Sequence, residues 1–318
     1  MSDQVIDPVY LPFSAKQLQR HFVPTGGHAP GEQATRHLRY YLDSAERYRH
    51  FQASHSDRRG VALKKARKPC QIEKDERFWV VACLMSYFYS TDRTERLSAL
   101  MRLCHGEYPP LTGASTWNEC LDGRLYLFFE TNLPSPRGYK RWLREHLSQR
   151  QIVPYVLDAS RRSGSDEIRK GLEGPTHVDA ILLNADNGCA VLFEAKVLSD
   201  VSYQISFDTM RNQIARNVDV MLEQNGGLPE PLNLRQPERT LFVLLTPESF
   251  RKQPHSRLYG WLMNEYRSNP MALARDIPHR ESMNWAVVAS RVGWLTWEDC
   301  ERVLPGACPW LTQQQTTV

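Results

Sequence analysis

The sequence has no run of about eighteen uninterrupted apolar residues, which argues against a membrane-spanning helix. Its opening stretch, MSDQVIDPVYLPFSAKQLQR, lacks a basic segment followed by an apolar one, so no signal peptide is expected there. No C-x-x-C pair occurs among the seven cysteines. The nearest approaches to metal-ligand spacing, Cys104-His105 and Cys300 with Cys308, do not complete a zinc pattern. Most cysteines are therefore expected to be small buried hydrophobes in a reducing, cytoplasmic setting. There is no internal repeat and no long low-complexity segment. The formal net charge of +4 permits a polyanionic partner without demanding one.

What is present is the composition of an ordinary globular protein, 41% hydrophobic and 24% charged over 318 residues, long enough for two domains. The first third carries helix-forming stretches: SAKQLQRHF, GEQATRHLRYYLDSAERYRHFQ and TERLSALMRLCHG, the last with a stop at Gly106. Residues 74 to 89 are apolar nearly all round, which predicts a buried helix. Between these lies DRRGVALKKARKP, in which Lys64, Lys65, Arg67 and Lys68 are candidate phosphate contacts. A solvated linker accounts for that run equally well. The Pro- and Gly-bearing GEYPPLTGAS marks a change of texture, dividing a helical N-terminal domain (1–110) from a second domain (111–318).

The second domain alternates. RLYLFFET reads as a strand, SPRGYKRWLREHLSQR as a helix and IVPYVLDAS as an edge strand interrupted by Pro154. After two further strands come a helix over SYQISFDTMRNQIARNVDVMLEQ, a strand RTLFVLLT, a helix HSRLYGWLMNEYR and a strand MNWAVVAS. The last helix, TWEDCERVL, opens with a Thr296/Asp299 capping box. Such alternation predicts an α/β fold with a mixed sheet flanked by helices.

The charged residues inside the two middle strands, GPTHVDAILL and AVLFEAKV, carry the chemistry. Asn187-Gly188 between them is a two-residue hairpin signal. A turn there pairs Asp186 with Cys189, Leu183 with Leu192, Ile181 with Glu194, and Asp179 with Lys196. Opposed residues share a face. Asp179, Glu194 and Lys196 then meet on one face, while Val178, Ala180, Leu182, Phe193, Ala195 and Val197 make the other an apolar core. Two adjacent carboxylates repel unless a cation lies between them, and hard oxygen ligands suit Mg²⁺ or Mn²⁺. The alternative is a salt bridge, but two acids against one base leave it unbalanced, and buried pairs are costly.

The motif GPTHVDAILL…VLFEAKV resembles the PD-(D/E)xK nuclease superfamily, over roughly residues 125 to 300. The resemblance implies a restriction-endonuclease-like fold and hydrolysis of phosphodiesters, DNA before RNA, in defence against foreign DNA or in repair. It assigns Asp179 and Glu194 as metal ligands and Lys196 as the catalytic lysine. Val178 stands where the motif often has proline. An upstream acid is expected too, with Glu145 or Glu173 as candidates. Gln213 on the following helix would reach the site. It shares a helix face with Arg216 and Asn217, and Arg211 and Arg216 are candidate nucleic-acid contacts. His177 shares the face of Asp179 and would line the cleft. Trp294 and Trp297 are expected to pack at a helix entry. A binding or assembly module without chemistry on the same fold is the competing expectation. Neither excludes a homo-oligomer.

Overall fold

A computed structural model describes residues 5–22, 31–56, 69–162, 172–201, 207–224 and 226–313. A small ribbon pairs β1 (Val5–Asp7) with β2 (Leu11–Ser14). The main sheet holds five strands in chain order: β3 (Leu125–Leu133), β4 (Thr176–Asn184), β5 (Ala190–Ala195), β6 (Thr240–Thr246) and β7 (Val292–Thr296). β3, β4 and β5 form an antiparallel meander, and β6 and β7 continue it in parallel. Parallel neighbours need crossovers, and crossovers of one hand put their helices on one side of a sheet. Helices Gln213–Met221, Leu258–Ser268 and Trp285–Ser290 indeed pack together against Ile181, Leu192 and Phe242.

The opposite face must then be covered by something else. Helices Glu76–Phe88 and Arg93–His105 do this, sharing one apolar cluster with Ala180, Phe193, Val243 and Leu295. Helix Glu76–Phe88 is buried on nearly every side, as its composition predicts. The core therefore runs across the expected division at residue 110 without a break. Among the described residues no helix is long and apolar enough to cross a membrane. All seven cysteines are unpaired and five of them are buried.

Three expected elements differ. PYVLDAS lies in helix Pro154–Arg162, where proline occupies the first turn, a position at which its missing N–H costs nothing. Much of MNWAVVAS is helix Trp285–Ser290, opened by Asn284, whose side chain accepts the Val287 N–H. The strand follows it as VGWLT. Of the long helix expected over 202–224, residues 202–206 lie outside the described residues; from 207 on, the helix is Gln213–Met221, started by Asn212, whose side chain accepts the Ala215 N–H at 2.9 Å. The Thr296/Asp299 capping box is present. Gly260 has a packing reason: a Cβ there would stand 2.0 Å from the Pro254 carbonyl oxygen. Gly260→Ala is expected to destabilise the fold by about 1–3 kcal/mol, read as a lowered urea midpoint at unchanged slope.

Candidate active site

The hairpin that builds the site turns through four residues rather than two. Asn184 N–H donates to Cys189 O, and the ladder pairs Leu183 with Ala190 and Ile181 with Leu192. Asn187 does not have the positive φ that a type I′ turn requires; Gly188, at φ 72°, supplies the left-handed step alone. The asparagines are used otherwise. Asn184 and Asn187 both donate to the Cys120 carbonyl, tying the turn to helix Trp117–Leu121. The register is thus displaced by two residues from the expected one. A shift of two keeps every residue of β5 on its face. Extended one step past its last pair, Ala180 with Phe193, this register sets Asp179 level with Glu194 instead of Lys196.

Sheet regularity ends at this level. The β3–β4 ladder skips the Glu130/Asp179 step, and Glu130, at φ 53°, is the non-glycine residue with positive φ among those described. Both strands turn over here. Phe129 and Ala180 face the N-terminal helices, whereas Leu133 and Val178 face the crossover helices. Val178 is therefore not on the face expected for it. Continuing the β4–β5 ladder would place Ala195 against Val178. Instead the Ala195 N–H donates to Asp179 Oδ2 at 2.8 Å. The strands splay, and Asp179 and His177 open onto a cleft of about 490 Å³.

Around this opening the expected trio comes together. Lys196 Nζ lies 2.7 Å from Glu194 Oε1, in a pair that is almost wholly buried. Gln213 Nε2 donates to the same oxygen, and Asn217 Nδ2 to Glu194 Oε2 at 3.2 Å. These two residues stand one helical turn apart, which is why both reach one carboxylate. Burial, and then the charge of Asp179, push the Glu194 carboxyl up to about 7. Burial also raises Asp179, against the opposing pull of Lys196 and His177. Burial alone would lower the Lys196 ammonium, but Glu194 and Asp179 outweigh it and its pKa is raised. Lys196 accordingly stays protonated at any ordinary pH. Trp297 donates its indole N–H to the Lys196 main-chain carbonyl at 3.1 Å.

Three further residues join the trio. Glu76, at the start of helix Glu76–Phe88, accepts the Val197 N–H at 3.1 Å and the Ser199 hydroxyl, and lies 3.9 Å from Lys196 Nζ. Glu130 Oε2 is 2.9 Å from His177 Nε2, and its other oxygen is 3.4 Å from Arg77 Nε. His177 Nδ1 is 3.9 Å from Asp179 Oδ1. Partial burial opposes the imidazolium, yet Glu130 prevails and raises its pKa. An upstream acid does reach the lysine, but it is Glu76. Glu145 lies on the exposed face of helix Arg137–Arg150 and makes no contact with the trio. Nothing local distinguishes Glu76 in the sequence, since its partners lie about 120 residues away.

Other expected contacts are corrected. Arg211 is fully buried between Asp219, at 2.8 Å, and Glu173, at 3.1 Å, with its guanidinium over the Tyr139 ring. No phosphate can reach it. Arg216 turns from the Gln213 face to Glu173, 3.0 Å away. Glu173 is thus a structural counterion. Lys64, Lys65, Arg67 and Lys68 lie outside the described residues. Among the described residues no three of His, Cys, Asp and Glu gather tightly enough to enclose an ion alone. Comparison with protein-family models, with curated proteins and with solved structures finds no match to this chain.

Proposed function

We propose that this protein is a metal-dependent nuclease that hydrolyses phosphodiester bonds, DNA before RNA, on a restriction-endonuclease-like frame. The carrying observation is the convergence of Asp179, Glu194 and Lys196 where β4 and β5 splay, with Asp179 facing an open cleft. The antiparallel β3–β4–β5 meander, followed by a helix and parallel β6, supports the frame.

The donor set suits a hard divalent cation. Two crowded carboxylates with raised proton affinity call for positive charge. Mg²⁺ is commonly held by one or two carboxylates, with water and substrate phosphate completing its shell. Asp179 and Glu194 would hold Mg²⁺ or Mn²⁺, which would supply Lewis acidity toward the phosphodiester and its attacking water. Lys196 brings a permanent positive charge to the place where negative charge grows on the phosphate. Gln213 and Asn217 hold the Glu194 carboxylate in one orientation. The Lys196 side chain is itself almost wholly buried, which limits the water around its ammonium.

A second reading, a nucleic-acid-binding or assembly module without chemistry, is favoured by one observation. Both Glu194 oxygens already accept hydrogen bonds from protein groups. Incubation with plasmid, linear DNA and single-stranded RNA separates the two. The nuclease reading expects fragments in Mg²⁺ or Mn²⁺ and none in EDTA. Intact substrates under every metal condition would leave the second reading.

A further inference from the structure

We infer that the N-terminal helix Glu32–Ser56 forms one wall of the substrate path, with Arg36 and Lys140 holding phosphates of a nucleic-acid strand beyond the scissile one. This inference rests on the nuclease reading for where the strand is cut, but not for where it binds. The cleft at Asp179 adjoins a larger one of about 950 Å³, and Tyr40, Arg77 and His177 line both. The larger cleft runs between the Glu32–Ser56 helix, the far end of β3 and the start of helix Arg137–Arg150.

Its charge points to an anion. Arg36, Arg77 and Lys140 face it against Glu32 and Glu130, and the His37 and His177 rings also line it. Glu130 is already engaged by His177 and Arg77. Among the described residues neither Arg36 nor Lys140 has an ion-pair partner, so these two cations stand unneutralised in one cleft, each on a different helix. Clustered cations of this kind bind a polyanion by releasing its counterions. Glu130 holds a conformation that bulky side chains rarely adopt, and such strain persists where surrounding contacts impose it. Here it directs one carboxylate to both Arg77 and His177, the residues at the junction of the two cavities. A strand entering at Asp179 would therefore pass His177 and Arg77 and lie against Arg36 and Lys140.

The test is fluorescence anisotropy of a labelled DNA oligonucleotide, single-stranded and duplex, in EDTA, where cleavage plays no part. The Arg36→Ala/Lys140→Ala double variant should bind about tenfold or more weakly. Its slope of log affinity against log salt should fall by roughly 1.5–2, the loss of two phosphate contacts. In Mg²⁺ the same variant should raise KM more than it lowers kcat. Affinity and salt slope equal to wild type would overturn the proposal, as would a wild type that binds neither probe. Cleavage by wild type with unchanged binding by the variant would sink this path and spare the nuclease reading. Binding lost in the variant, with no cleavage by wild type, would do the reverse.

Discussion

Lys196→Met is expected to remove cleavage, lowering its rate by about 10²–10⁴-fold, while leaving metal binding in place. Methionine keeps the approximate length and volume of the lysine stem but carries no charge. Glu194 would retain its bonds from Gln213 and Asn217. Its carboxyl already titrates near 7, so it accepts a proton at little cost when the ammonium is gone. The folded state should therefore survive. Its gain in melting temperature on adding Mg²⁺ should at least equal that of wild type, because the ammonium no longer competes for Glu194. A plain buried salt bridge behaves otherwise. There the variant would lose about 3–5 kcal/mol of stability, and Mg²⁺ would shift the melting of neither protein.

Arg211→Met should give the largest loss of stability, about 3–5 kcal/mol, because it strands two buried carboxylates. The guanidinium is wholly buried, and Glu173 and Asp219 both lean on it. Asp219 keeps Arg280 at 2.6 Å and Glu173 keeps Arg216, which places the loss within that range rather than beyond it. A pH signature accompanies it. Burial would raise the Asp219 carboxyl, but Arg211, then His279 and Arg280, pull it well below the usual aspartate range. A carboxyl depressed in the native state stabilises above its unfolded pKa of about 3.9, and that stability is lost as pH falls further. Wild type should thus lose stability more steeply than Arg211→Met on acidification below about pH 4. Thermal melts across that range check it. An equal slope would remove Arg211 as the cause, and weakened DNA binding by an intact variant would restore it as a phosphate contact.

Much of this site is visible in the amino-acid order because it is local. Two apolar runs with charges at one end describe adjacent strands, and a register error of two residues cannot move a side chain to the other face. Asp179, Glu194 and Lys196 therefore converge although the turn is not the expected one. The i, i+4 spacing of Gln213 and Asn217 places both at Glu194 for the same reason. What stayed hidden depends on distant contacts. Glu76 reaches Val197 from the other end of the chain. The turnover at Glu130 and Asp179, which reverses Val178, leaves no trace in apolar periodicity. Arg211 and Arg216 read as surface cations because their shared counterion Glu173 lies on another segment, and Asp219, the second partner of Arg211, lies eight residues on. The helix at Pro154–Arg162 was obscured by β-branched residues near a proline that in fact starts it.

The central claim is that Asp179 and Glu194 hold a divalent cation, and it can be tested without knowing the substrate. Calorimetric titration of Mn²⁺ into metal-free protein, wild type beside Asp179→Asn, measures it directly. Saturable binding by wild type, competed by Mg²⁺ and lost in Asp179→Asn while that variant remains folded, is the predicted result. Heats of dilution alone in wild type, or equal binding by the two proteins, would contradict it.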